Sequence, residues 1–185
     1  MNISFITGNE IYLRPIEPED ADGDYLAWVN APSIRCYMES LHFPNSRESL
    51  KSFIESQNER KDTAFFAIVD SKTDKHIGNA KLGPVDWVNR VAMFGRMIGD
   101  PAARGRGIGT EVAKLLIDYG FRELNLHRVT SATLAGNKAA IKSNEKAGMT
   151  VEGIHREAKY TDGSYKDLVS MAILKSEWVK ASGLK

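Results

Sequence analysis

The chain has 185 residues, of which 42% are hydrophobic and 26% are charged, as is ordinary for a globular domain. Its 25 Lys and Arg residues balance 24 Asp and Glu residues. This balance predicts no general affinity for nucleic acid or for an anionic membrane surface. No apolar run approaches the roughly 20 residues of a membrane span. The length predicts one domain over residues 1–185.

Cys36 is the only cysteine of the chain. A disulfide within the chain and a cysteine-rich zinc site are therefore excluded, and no metal is expected. The first residues lack the basic and then apolar pattern of a signal peptide. Together these features favour a cytoplasmic protein. Cys36 as a nucleophile stays open, because the sequence places no base beside it.

The periodicity of apolar residues divides the chain into helical and extended segments. The predicted elements, in order, are a strand at 11–15, helices at 17–28 and near 33–36, a helix from Ser46, strands at 64–69, 76–85 and 91–98, a helix at 107–124, a strand at 126–134, a helix at 138–147, a hairpin of strands at 150–160 and 165–174, and a helix at 176–181. The strands between 64 and 98 are predicted to form an antiparallel meander. The strand–helix–strand connection from 91 to 134 requires parallel neighbours. The fold class is therefore α/β (α+β), with a mixed sheet of about seven strands.

The stretch Arg104-Gly105-Arg106-Gly107-Ile108-Gly109-Thr110 lies at a predicted strand-to-helix junction. Glycines let the backbone approach a ligand closely, and a helix start presents unpaired N–H groups to an anion. The alternative is a glycine-rich turn that only begins a helix. A P-loop is excluded by the missing Lys-Ser/Thr pair, and the glycine spacing does not match the dinucleotide fingerprint. A local phosphate or pyrophosphate site is the functional hypothesis.

Two motifs resemble those of one family. Arg104-x-x-Gly107-x-Gly109 resembles the acetyl-CoA signature of the GCN5-related N-acetyltransferases (GNAT), and the segment from Asn137 to Met149 resembles their second motif. Ile77-Gly78-Asn79 and Asp162-Gly163-x-Tyr165 are similar to the subgroup of ribosomal-protein, spermidine and nucleotide-amino-sugar acetyltransferases. The resemblance implies a GNAT fold, which is a twisted, mostly antiparallel sheet with helices on both faces. It also implies a splay between strands 93–99 and 129–133, where acetyl-CoA lies.

The resemblance also implies which residues bind acetyl-CoA. The backbone at Met97, Ile98 and Gly99 would pair with the pantetheine arm, and the backbone from 104 to 110 would hold the pyrophosphate. The implied cofactor-binding set is Met97, Ile98, Gly99, Arg104, Gly105, Arg106, Gly107, Ile108, Gly109, Thr110, Asn137, Ala140, Asn144 and Lys146. Asn137 is also predicted to cap the following helix. The alternative for one of the two arginines is an exposed side chain that contacts only water. The same alternative applies to Lys146.

The implied reaction is acyl transfer from the thioester to an amine, without a covalent enzyme intermediate. The Ile98 backbone N–H is the implied oxyanion donor. Asn144 stands where many members carry a Tyr general acid, and its amide is expected to reach the sulfur instead. Methionine stands at position 93, where related sequences often carry a Glu base. The base candidates in this chain are Asp86, Glu39, His42 and His127, of which Asp86 is the one retained.

The acceptor is expected to be a small amine or an amino sugar, recognised by the segment 25–66 and the terminal hairpin. Two alternatives stay open. One is acetylation of protein N-termini, which needs an open peptide groove. The other is a catalytically weak CoA-binding sensor, motivated by Asn144 and Met93. The terminal hairpin is also expected to support a homodimer.

Overall fold

A computed structural model describes residues 3–38 and 42–183. The strands are β1 (Ile6–Thr7), β2 (Ile11–Pro15), β3 (Ala64–Asp70), β4 (His76–Asp86), β5 (Val91–Ile98), β6 (Arg128–Leu134), β7 (Thr150–Thr161) and β8 (Ser164–Leu174). The helices are α1 (Tyr25–Asn30), α2 (Pro32–Arg35), α3 (Arg47–Asn58), α4 (Ile108–Arg122), α5 (Lys138–Lys146) and α6 (Lys175–Ser182). Short 3₁₀ helices cover Pro18–Asp22 and Pro101–Ala103.

The strands form one sheet of eight strands in the order β1-β2-β3-β4-β5-β6-β8-β7. The predicted mixed, mostly antiparallel α/β fold is confirmed. Its parallel step pairs β5 with β6, with a ladder from Val91↔Arg128 to Met93↔Thr130. Both strands continue beyond this ladder, β5 to Ile98 and β6 to Leu134. The strand that the sequence did not indicate is β1, whose two residues pair with β2.

Several element boundaries differ from the prediction for local reasons. The helix predicted over 17–28 divides into a 3₁₀ helix and α1, with Gly23 in extended conformation at the break. Helix α4 begins at Ile108 because Gly107 has a φ of +84°. Strand β6 begins two residues later than predicted, because the Leu126 N–H donates to the Gly120 carbonyl at 2.9 Å, closing the end of α4.

The hairpin of β7 and β8 closes through a two-residue turn. Thr161 pairs with Ser164, and the intervening Asp162 and Gly163 have φ values of 48° and 72°. Positive φ at both central residues is the type I′ geometry that Asp-Gly favours, because it matches the twist of the two strands. This turn was predicted from the sequence.

The chain divides into two compact units. The first comprises Met1–Lys81 and Arg96–Ile108. Its core packs the N-terminal helices around the end of β5 and consists of Ile16, Ala21, Tyr25, Trp28, Val29, Ile34, Leu50, Ile54 and Met97. Helix α3 enters this core through Leu50 and Ile54, and Ser46 caps its first turn as the sequence predicted.

The second unit comprises Leu82–Gly95 and Gly109–Lys185. Gly120 lets α4 approach the sheet, since a Cβ there would lie 3.1 Å from Leu126 and 3.3 Å from Val129. Phe121 contacts the Trp178 ring of α6 at a centroid distance of 5.4 Å. Among the described helices, none is both long and apolar enough to cross a membrane.

Candidate active site

The glycine loop, residues 104–107, is an exposed backbone segment before α4. Gly105 and Gly107 have φ values of +75° and +84°, which side-chain-bearing residues rarely adopt. Among the described residues, no heavy atom beyond the chain neighbours lies within 4 Å of a Cβ built at either position. Ile108, only 1% exposed, anchors the helix start behind the loop. The loop therefore presents open backbone at the positive end of a 15-residue helix, a geometry that suits a pyrophosphate.

Arg104 joins the glycine loop to the end of β5. Its Nε donates to the Ile98 carbonyl and its Nη2 to the Gly99 carbonyl, both at 3.2 Å. The Arg104 N–H itself donates to Pro101 O at 3.2 Å. Within the part of the chain that the structure describes, its guanidinium hydrogen-bonds to these two neutral carbonyl groups and carries positive charge at the loop.

Arg106 differs from Arg104. Its Nη1 lies 2.8 Å from Asp70 Oδ2, and its Nη2 lies 3.3 Å from Glu10 Oε2. Burial alone would raise the pKa of Asp70, but Arg106 and the N–H groups of Thr73 and Lys72 lower it below its ordinary value. The pairing of Arg106 with the pyrophosphate stays a prediction, and the structure shows this guanidinium neutralising two carboxylates of its own unit.

Gly99 is required by packing. A Cβ there would lie 2.0 Å from the Trp28 ring, and the Gly99 N–H donates to Ile77 O at 2.9 Å. This N–H is therefore engaged by β4, and the predicted pairing of the Gly99 backbone with the pantetheine arm stays a prediction. Met97 places its side chain in the core and is 7% exposed. The Ile98 N–H as oxyanion donor stays a prediction.

The second motif begins with the predicted cap. Asn137 Oδ1 accepts a hydrogen bond from the Ala140 N–H at 3.1 Å, which confirms Asn137 as the N-cap of α5. This contact uses both groups that the sequence singled out at the start of the motif. The Thr110 and Ser143 hydroxyls lie 3.2 Å apart and tie the first turn of α4 to α5. Gly109, like Thr110, is half-buried.

Asn144 is buried, with 1% of its surface exposed. Its Nδ2 donates to Ser131 Oγ at 3.2 Å, which ties α5 to β6. The contact of this amide with a thioester sulfur stays a prediction, and the structure shows the amide bonded to a strand within a packed interior. Lys146 is exposed in the last turn of α5, where a cation suits the negative end of the helix dipole.

Asp86 does not have the surroundings of a general base. It is exposed at the end of β4, and its carboxylate accepts from the N–H groups of Val88 and Asn89 at 3.0 and 2.9 Å. These hydrogen bonds lower the pKa of Asp86, first among them the bond from Asn89. A carboxylate stabilised in its charged form is a weaker base, so these contacts do not favour Asp86 as the base, and that role stays a prediction.

The structure describes two of the other three base candidates, and both are exposed. Glu39 lies outside the described residues, and His42 is exposed. His127 is exposed, and its backbone joins two connections: its N–H donates to Arg90 O at 2.7 Å, and its carbonyl accepts from Lys175 N at 2.9 Å. Met93 is 50% exposed.

Sequence reasoning missed a buried polar network in the first unit. Arg14 makes a two-point ion pair with Asp20, and His76 Nδ1 lies 3.5 Å from the same carboxylate. The His76 ring also meets the Trp28 ring edge-on at a centroid distance of 5.2 Å. Burial lowers the pKa of His76, although Asp20 opposes this. No periodic signal marks the network, because its members come from three distant segments.

Comparison with known proteins identifies the family. The family model described as "Acetyltransferase (GNAT) domain" matches residues 10–150. The chain is 32% identical to the probable N-acetyltransferase YjcK of Bacillus subtilis, over 91% of this chain and 96% of that protein. The chain belongs to the GNAT acetyltransferase family.

Other comparisons agree. The spermidine N(1)-acetyltransferase of Escherichia coli K12 is 29% identical, over 94% of this chain and 90% of that protein. The crystal structure of spermidine N-acetyltransferase from Vibrio cholerae, in complex with CoA and spermine, superposes with a TM-score of 0.84 at 25% identity. That alignment covers 93% of this chain and 99% of the other.

This GNAT protein is therefore an acetyl-CoA-dependent N-acetyltransferase. The glycine loop suits a pyrophosphate. Its backbone is open, and two of its residues have conformations reserved for glycine. Arg104 supplies positive charge beside it. Acetyl-CoA supplies the thioester whose acetyl group is transferred. The glycine spacing led to the glycine loop, the GNAT resemblance added a cofactor contact for Asn137, and the fold then separated Arg104 from Arg106.

Proposed function

We propose that this GNAT enzyme transfers the acetyl group of acetyl-CoA to the primary amine of a small molecule or an amino sugar. The observation that carries the proposal is the open glycine loop before α4. The proposed cosubstrate-binding residues are the Ile98 backbone, Arg104, the backbone from Gly105 to Thr110, Asn137 and Lys146. The Arg106 and Asn144 side chains and the Gly99 N–H are proposed not to contact acetyl-CoA, since each has an ion-pair or hydrogen-bond partner within its own unit.

Catalysis rests on positioning in this proposal. The Ile98 N–H stabilises the oxyanion, and the amine loses its proton to water, because Asp86 is stabilised as an anion and position 93 is methionine. Orienting an amine against a thioester converts a bimolecular step into an effectively unimolecular one, which supplies a large part of the rate. An acceptor whose amine is neutral near the working pH suits such a site.

Isothermal titration with acetyl-CoA, followed by thiol release over a panel of amines, tests the proposal. We expect micromolar binding and release of CoA that depends on the amine. Failure to bind acetyl-CoA at near-millimolar concentration would contradict the function. Binding without turnover of any amine would instead favour the second candidate, a CoA-binding sensor, which Asn144 and Met93 motivate. Turnover confined to peptides with free N-termini would favour the protein N-terminal acetyltransferase.

The chain is further proposed to act as a single acetyltransferase domain over residues 1–185, since β4 and β5 each contribute residues to both compact units. A cytoplasmic location and a homodimer are part of the same proposal. The dimer is supported by β7, which ends the sheet and carries Ile154 at 60% exposure. An edge strand with exposed apolar side chains is suited to pairing with a second copy. Light scattering of the purified chain tests the dimer.

A further inference from the structure

Two side-chain donors on β4 lack protein partners. Asn79 is buried, at 4% exposure, and its Nδ2 has no hydrogen-bond partner among the described residues. Lys81 is half-buried, and its ammonium makes neither a hydrogen bond nor an ion pair within the part of the chain that the structure describes. A buried donor without a partner costs roughly 1–3 kcal/mol, so a native structure that keeps one calls for an explanation.

The orientation of the Asn79 amide follows from its neighbour. His76 Nε2 lies 2.9 Å from the Gly78 carbonyl and 3.0 Å from Asn79 Oδ1. Since the carbonyl is only an acceptor, Nε2 carries the hydrogen, and the Asn79 atom that faces it is the oxygen. The Asn79 NH₂ group is therefore turned away from His76, with both hydrogens still to donate.

Asn79 and Lys81 share one face of the strand. Successive side chains of a β-strand alternate between faces, so residues two apart lie on the same face, about 7 Å apart along the strand. One face of β4 thus presents an amide donor next to an ammonium. Both residues belong to the first compact unit.

The charge around Lys81 favours an anion. Burial lowers the pKa of Lys81, the Arg60 guanidinium lowers it further, and the Asp62 carboxylate opposes both. Asp62 is already held by Arg60 through two hydrogen bonds of 2.8 Å. Two cations against one engaged carboxylate leave a net positive charge. Arg60 and Asp62 lie within the segment 25–66, which the GNAT resemblance assigns to the acceptor.

We infer that Lys81 and Asn79 form an anion subsite for the acceptor, so that the acetylated amine also carries a carboxylate or phosphate group. This inference rests on the proposed acetyl transfer and narrows its substrate class. A polyamine carries only positive charge and would be repelled by the net positive charge that Lys81 adds to the Arg60–Asp62 pair. The chain therefore differs in acceptor from a relative such as the Vibrio cholerae enzyme, which was crystallised with spermine.

Matched amines test the inference. Glucosamine 6-phosphate against glucosamine isolates the phosphate, β-alanine against propylamine isolates the carboxylate, and spermidine represents the polyamines. We expect the wild-type chain to prefer one anionic member over its uncharged partner by about tenfold to a hundredfold in kcat/KM, mainly through KM, as for a hydrogen-bonded charge. The same amines are titrated directly into the chain, with and without CoA.

Three variants of Lys81, one of Asn79 and a control at Lys61 sharpen the test. Lys81→Met should remove the preference, Lys81→Arg should retain most of it, and Lys81→Glu should turn it towards spermidine. Lys61→Met is the control, since Lys61 is an exposed lysine beside Arg60. Melting curves confirm that each variant is folded. Asn79→Leu should weaken binding of the same anionic amine and leave acetyl-CoA binding unchanged.

The outcomes separate the two proposals. Preference of the wild-type chain for spermidine, an equal effect of Lys81→Met on anionic and uncharged amines, or no binding of either anionic amine overturns the anion subsite. Absence of acetyl-CoA binding contradicts the acetyl-transfer proposal instead. The direct titrations decide the subsite in that case too, because they do not depend on turnover.

Discussion

Arg106 Nη1 lies 2.8 Å from Asp70 Oδ2, so one of the two arginines in the glycine loop is held by a carboxylate of β3. Asp70 is 3% exposed, and Thr73 Oγ1 donates to its other oxygen at 3.1 Å. The ion pair fastens the loop to the turn after β3. The Arg104 guanidinium donates instead to two carbonyl oxygens, and its charge is the one proposed to face the ligand.

This contrast predicts opposite phenotypes for substitutions of two arginines that are two residues apart in the sequence. Arg104→Ala should weaken acetyl-CoA binding about tenfold, the value of a charged hydrogen bond, with little change in melting temperature. Arg106→Ala should lower the melting temperature, because it leaves the Asp70 carboxylate without its cation, and should change acetyl-CoA affinity less than threefold, as roughly 0.6 kcal/mol would. Calorimetric titration and thermal melting measure both. An affinity loss for Arg106→Ala equal to that of Arg104→Ala would restore Arg106 to the binding site.

The glycine loop gives a second prediction. Gly107→Ala places a Cβ at a φ of +84° and in the open space proposed for the pyrophosphate. We expect acetyl-CoA affinity to fall tenfold or more, since a left-handed conformation costs a residue with a Cβ about 1–2 kcal/mol and the methyl group also meets the ligand. Gly136→Ala is the control, because that glycine has equally open surroundings without a positive φ. Titration calorimetry would contradict a pyrophosphate site at the glycine loop if both variants bound acetyl-CoA with the affinity of the wild-type chain.

Asn144 and Ser131 give a third prediction. Removing one partner of their buried hydrogen bond, by Asn144→Ala or Ser131→Ala, should lower the free energy of unfolding by about 1–3 kcal/mol. The double variant should lose less than the sum, because the two single changes remove the same contact. Urea unfolding measures the cycle. Turnover should stay within a few-fold, and a hundredfold loss of kcat in a folded Asn144→Ala variant would make Asn144 catalytic after all.

The His76 network predicts how stability depends on pH. Burial lowers the pKa of His76, so the unfolded chain binds a proton at this site more readily than the folded chain. The stability is therefore complete above about pH 6.5, the ordinary histidine value, and decreases as the pH falls through the lower pKa of the folded state. His76→Gln should flatten this decrease in urea unfolding, whereas His42→Gln, at an exposed position, should not. If the free energy of unfolding of His76→Gln fell with pH as steeply as that of the wild-type chain, groups other than His76 would cause the decrease.

The sequence by itself determined what depends on local chemistry. Period-two and helical patterns indicated strands β2 to β8 and the main helices, and Asp162-Gly163 specified the type I′ turn. The sequence was enough to identify Asn137 as a helix cap, because a cap joins residues that are only three apart. Gly105 and Gly107 indicated an open loop, because φ freedom is a property of the residue itself.

Only the tertiary structure decided the partners of charged and polar side chains. Arg104 and Arg106 are equivalent in sequence, and their roles separated because β2 and β3 bring Glu10 and Asp70 to one of them. The Asp86 carboxylate, a base candidate in the sequence, accepts a hydrogen bond from the turn after β4 in the structure. Lys81 became a candidate anion-binding residue only once the fold showed that it is half-buried and close enough to Arg60 for the two charges to interact. Hydrogen bonds and charge interactions act through space, so their partners are known only once the sheet has set which segments are neighbours.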